Sequence, residues 1–77
     1  MEPILLKLEP NGATYPDNPH EGEEFGYVLS GNIIITIGNK THKVKKGESF
    51  YFVSDKKHYI TSKTGAVILW VSSPPSF

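Results

Sequence analysis

The stretch "FGYVLSGNIIITIGNKTHKV", residues 25–44, decides the fold. Its apolar residues come in short runs cut by glycine, asparagine and lysine, and no window holds the i, i+3, i+4, i+7 spacing of a helix. Tyr27, Val28 and the following isoleucines favour extended chain. Between Ile37 and Lys40, "GN" supplies the positive backbone angles of a two-residue hairpin loop, so the flanking segments are expected to pair antiparallel.

The same pattern continues outward on both sides. Strands are expected over residues 4–8, 24–29, 33–37, 41–45, 49–53, 58–61 and 66–71, with a further turn at "KTG" before Ala66. So many short, closely spaced strands in 77 residues point to one all-β domain over residues 1–77, a sandwich or small barrel. Two runs, "IIITI" and "AVILW", are apolar on both faces, which demands a cover from an opposing sheet or a second subunit. "YPDNPH", residues 15–20, is expected to be a stiff loop, because each proline fixes its own backbone angle.

Composition narrows the function. A chain this short buries only about 60% of its unfolded surface, and without cysteine it has neither disulfides nor thiolate metal sites to staple it. Oligomerisation or a metal held by nitrogen and oxygen are the remaining supports. Eight lysines balance eight acids and arginine is absent, so neither nucleic acid nor anionic lipid is attracted by bulk charge. The opening "MEPILLKLEP" is too short and too charged for a secretory or membrane segment, and a cytoplasmic location without membrane contact is expected. No nucleophilic serine elbow, phosphate-binding glycine loop or thiolate cluster occurs. The lysines of "KTHKVKKG" read best as guards of an exposed edge strand, although such a stripe also suits phosphate.

The chemistry concentrates ahead of the quoted stretch, where His20 and Glu24 stand four positions apart. Gly22 and Gly26 disfavour a helix there, and a strand's period of two sends both side chains to one face. One imidazole nitrogen with one carboxylate oxygen is two-thirds of the facial set that holds iron, manganese or zinc. His58, at the start of a later strand in "SDKKHYIT", is the natural third member. By alternation with Glu24 and His58, Val28, Phe50, Phe52 and Ile60 are expected to face inward as a ligand-binding wall, leaving Tyr27, Tyr51 and Tyr59 on the opposite faces. The plainer alternatives are a surface hydrogen-bonded pair and a barrel filled by its own side chains.

At these residues the chain resembles the cupins. Residues 12–31 resemble the first cupin motif: Gly12, five residues, a first ligand position at Asn18, a second at His20, then Glu24 and a closing Gly31. Residues 47–62 resemble the second, with His58 at its histidine position, and the fifteen residues between Gly31 and Gly47 match the spacing of small microbial cupins. The resemblance implies a double-stranded β-helix (jelly-roll) barrel with His20, Glu24 and His58 pointing into its open end, where they would hold one divalent metal (zinc, iron, manganese or nickel). Asn18 departs from the histidine of metal-binding members, and an amide oxygen is a weaker ligand; before Pro19 it also reads as a turn residue. Val53, Asp55 and Ser62 replace the family's proline, glycine and asparagine in the second motif.

"GEEFGYVLSG", "GESFYFVSDKKH" and the tail "ILWVSSPPSF" further resemble the C-terminal sensor domains of bacterial helix-turn-helix regulators of the XRE type. That resemblance implies a small-molecule effector, a homodimer, no catalytic residues, and DNA contact only through a separate domain. The rival reading is a free-standing metalloenzyme of dioxygenase or isomerase type, and the blandest is a dimerisation module.

Overall fold

One strand organises the molecule, a 15-residue run of alternating side chains that serves two sheets in succession. The computed structural model describes residues 2–14 and 21–73, within which seven strands and no helix occur. They are β1 (Glu2–Leu8), β2 (Gly12–Ala13), β3 (Glu23–Ile37), β4 (Lys40–Lys45), β5 (Ser49–Val53), β6 (His58–Ser62) and β7 (Ala66–Ser73). The first half of β3 lies between β7 and β5, with β1 beyond β7. Its second half lies between β4 and β6, with β2 beyond β6. All pairings are antiparallel, and the two sheets together curl into a half-barrel.

The sequence expectation of separate strands at 24–29 and 33–37 is therefore corrected to one continuous strand. A register shift between Val28 and Ser30 and the positive φ of Gly31 (80°) turn the chain between sheets without ending the hydrogen bonding. Gly31 is indispensable there, since a Cβ would also stand 2.1 Å from the Gly65 carbonyl oxygen. Val28 bonds to the β4–β5 connection through its N–H to the Glu48 carbonyl and its carbonyl to the Gly47 N–H. The strand β2 was invisible in the sequence because two small residues carry no hydrophobic pattern.

The expected hairpin and edge strand hold, whereas the stiff loop expected over residues 15–20 lies outside the described residues. Gly38 (φ 62°) and Asn39 close the β3–β4 hairpin, with Ile37 opposite Lys40. β4 pairs with β3 alone and carries exposed lysines, the arrangement expected of a protected edge. The concave side holds the core, built from Val28, Ile33, Ile35, Phe52, Ile60 and Ile68 with their neighbours.

Candidate functional site

The alternation of β3 sends Glu24 to the concave side, between Phe52 on β5 and Ser72 on β7. β6 begins at His58, opposite Ile37, with its side chain on the same side. The two meet as expected: His58 Nε2 lies 2.8 Å from Glu24 Oε2, and both side chains are almost wholly buried. The His58 Nδ1 is 3.0 Å from the Lys56 carbonyl oxygen, which only accepts, so Nδ1 is the donor and Nε2 is the atom turned to the carboxylate. Nε2 and Oε2 are thus within ion-pair distance of one another.

Two residues that the sequence reading did not single out hold the carboxylate in place. Trp70 Nε1–H donates to Oε1 at 2.8 Å, and the Ser54 hydroxyl donates to Oε2 at 2.7 Å. Ser54 is itself anchored by its N–H to the Gly22 carbonyl. A buried carboxylate needs such donors, because an uncompensated charge in the interior is costly. Trp70 stands opposite Gly26, whose missing side chain leaves room for the Phe50 ring, and that ring meets the indole edge-on at 5.6 Å. The signal for Trp70 was there in the alternation with Ile68 and Ser72, but its partner lies 46 residues away in sequence.

A cavity of about 310 Å³ opens beside this pair, between β4 and β5, which do not pair with each other. Its apolar lining comes from Ile35, Ile37, Val44, Phe50 and Phe52, and the polar residues His42, Lys43, Ser49 and Tyr51 complete it. Phe52 joins the two parts of the site, since it lines the cavity and meets the His58 ring at 4.9 Å. Of the expected wall, Phe50 and Phe52 line the cavity; Val28 and Ile60 face the concave side too but are wholly buried beneath it. His42 was read only as part of a basic stripe, yet its register opposite Ile35 puts it on the concave side of β4. Tyr27 and Tyr51 point outward as expected, and Tyr59 is half-buried. A second groove of about 330 Å³, formed by residues 32–34, 43–45 and 62–64, includes none of the expected site residues.

For a metal, the described residues offer two adjacent donor atoms, Glu24 Oε2 and His58 Nε2, and no group of three histidines or acids. Each carboxylate oxygen has two lone pairs, so the bonds from Trp70 and Ser54 leave room for a cation. His20 and Asn18, the other two positions expected from the sequence, lie outside the described residues.

Comparison with known proteins places this geometry in a family. Residues 4–72 match the family model described as "Cupin domain". An uncharacterized protein of Streptomyces coelicolor is 33% identical over 67 residues, covering 83% of this chain and 62% of its own length. Among solved structures, an HTH_3 family transcriptional regulator from Vibrio cholerae superposes with a TM-score of 0.85 at 22% identity, over 96% of this chain and 43% of that one. The Cupin_2 domain of an XRE family transcriptional regulator from Enterobacter cloacae gives 0.81 at 20% identity, over 96% and 81%. A predicted oxalate decarboxylase from Thermotoga maritima gives 0.79 at 24%, over 91% and 63%. At these identities the structural likeness establishes fold alone, and this chain spans less than two-thirds of the curated relative and less than half of the Vibrio cholerae regulator. The family match and the curled antiparallel strands agree: this chain belongs to the cupin domain family and has its jelly-roll β fold.

Proposed function

We propose that this cupin domain is the effector-sensing part of a cytoplasmic transcriptional regulator and takes a small molecule into the concave cavity between β4 and β5. The cavity itself is the observation that carries the reading: about 310 Å³, at the lower end of the range of small-ligand sites, lined by aliphatic and aromatic side chains together with the polar residues His42, Lys43, Ser49 and Tyr51. Ile35, Ile37, Phe50 and Phe52 receive the apolar body of the effector, while His42 and Ser49 at the rim supply hydrogen bonds. Glu24 and His58, behind Phe52, fix the position of the wall. A divalent metal held by Glu24 and His58, with His20 as the third ligand, would brace this wall from behind.

Binding rather than covalent chemistry is the activity assigned to this cavity. Regulation then follows from differential affinity for two arrangements of the protein, passed to DNA through an attached domain. Calorimetric titration of metabolites and divalent metals tests this. Saturable binding of a metabolite that Phe52→Ala weakens supports the sensor. Stoichiometric iron or manganese, lost in His58→Ala together with turnover of a substrate, would replace it with the metalloenzyme.

A further inference from the structure

The chain has no net charge, but its charges are divided. Seven of the eight lysines fall between Lys40 and Lys63, where Glu48 and Asp55 are the only acids, a formal charge of +5; the rest of the chain carries −5. The basic segment contains β4 and β5, the two strands that border the cavity. Charge of one sign around a cleft with low-dielectric walls raises the local concentration of ligands of the opposite sign.

Two of these lysines meet beside the cavity. A recess of about 180 Å³ at the β3–β4 hairpin is lined by Ile37, Asn39, Lys40, His42 and Lys56, and it shares Ile37 and His42 with the larger cavity. Lys40 and His42 reach it by strand alternation, since both lie on the side of β4 that bears the buried Val44. Lys56 is brought there by the β5–β6 connection, which docks on the hairpin. Gly38 N–H donates to the Lys57 carbonyl at 2.8 Å, and the Lys56 stem passes so close that a Cβ on Gly38 would stand 3.1 Å from its Cδ. The Lys56 carbonyl accepts from His58 Nδ1, so the same connection also orients the buried histidine. Among the described residues neither cavity is lined by an acid. Lys56 Nζ lies 3.9 Å from Asp55 Oδ1, an exposed pair of the kind that contributes little, and Lys40 has no ion pair among the described residues.

We infer that the effector is an organic anion whose carboxylate or phosphate group is held by Lys40 and Lys56 at the hairpin while its apolar body lies against Phe50 and Phe52, an assignment that rests on the sensing role proposed above. Each ammonium group offers three N–H donors and no acceptor, which suits the lone pairs of an anionic oxygen and nothing that only donates. His42 lines both spaces and so stands where head group and body join. A cationic effector is repelled by this arrangement, and a neutral one gains nothing from it, so the lysines select by charge as the phenylalanines select by shape. Lys40 thereby acquires a binding role beyond guarding the edge strand.

Matched probes provide the test: phenylacetate and hexanoate, their uncharged amides, and phenyl phosphate, each titrated against the isotope-labelled chain by NMR, with shifts of Phe50 and Phe52 reporting entry to the cavity. The expected result is that at least one anion enters, at least about tenfold more tightly than its amide, as a charge-assisted bond would give, and that the combined Lys40→Gln and Lys56→Gln substitutions remove this preference. Whether phenyl phosphate or the carboxylates bind more tightly identifies the head group. Both lysines are exposed, so their replacement leaves the fold intact, as unchanged shifts elsewhere would verify. Lys63→Gln, in the second groove, is the control for bulk charge and should alter affinity by less than about twofold at physiological salt. Amides that enter as tightly as the acids, a preference that the double substitution leaves intact, or one that Lys63→Gln removes as well, would overturn the inference and leave the sensing role standing. Entry by none of the five probes would overturn both.

Discussion

Replacing Trp70 with phenylalanine isolates the bond that holds Glu24. The substitution keeps an aromatic ring against Phe50 and removes the Nε1–H that donates to Glu24 Oε1 at 2.8 Å. A hydrogen bond to a charged group contributes about 1.5–3 kcal/mol, and here the acceptor stays buried after its donor has gone. The smaller ring also leaves a void worth about 1 kcal/mol at the usual cost per unit of cavity volume. The expected loss is therefore about 3 kcal/mol, or roughly 15 °C in Tm for a domain of this size. Far-UV circular dichroism at neutral pH and one fixed protein concentration measures it. Repeating the substitution in a Glu24→Gln background separates the two contributions: with the charge gone, the cost should fall by about 1 kcal/mol or more. Costs that add within about 0.3 kcal/mol, or a Trp70→Phe loss below about 1 kcal/mol, would refute the reasoning.

Other positions give equally direct outcomes. Gly31→Ala forces a side chain onto a backbone at φ 80° and within 2.1 Å of the Gly65 carbonyl oxygen, so a loss of at least about 2 kcal/mol is expected in urea denaturation. Gly26→Ala drives a Cβ to 2.1 Å from the Phe50 ring, which must swing away; near-ultraviolet circular dichroism should change and stability fall by about 1–3 kcal/mol. Tyr51 donates a hydrogen bond to the Glu23 carboxylate, and this bond, with partial desolvation and the nearby charge, raises the phenol above its ordinary value of 10.0. Because the folded value is the higher one, the contribution of this pair to stability is complete below the unfolded value and disappears as pH rises through the folded one. Ultraviolet titration should show the shift reduced in Glu23→Gln.

Much of the architecture was legible because strand signals are local. Alternation along residues 23–28 and 49–53, and the Gly38-Asn39 loop, specified the side each residue faces. Glu24 and His58 were legible as a pair because both lie at concave positions set by that alternation. Three things were not. The continuity of β3 depends on Gly31 adopting a positive φ within a paired strand, and a glycine followed by asparagine reads more readily as a break. Trp70 and Ser54 reach Glu24 only through pairings 46 and 30 residues apart, which no local pattern reveals. His42 joins the cavity through its register opposite Ile35, two pairs beyond the Ile37–Lys40 pair that closes the hairpin, and its polar, exposed neighbours carry no hydrophobic pattern to mark that side.

The central claim is that the concave space between β4 and β5 admits a small molecule. Amide and methyl chemical-shift mapping by NMR, with the isotope-labelled chain titrated against a metabolite-like library, tests it most directly. The account predicts at least one ligand whose shifts cluster on Ile35, His42, Phe50 and Phe52 and weaken in Phe52→Ala. Shifts confined to residues 32–34, 43–45 and 62–64, or none across the library, would contradict it.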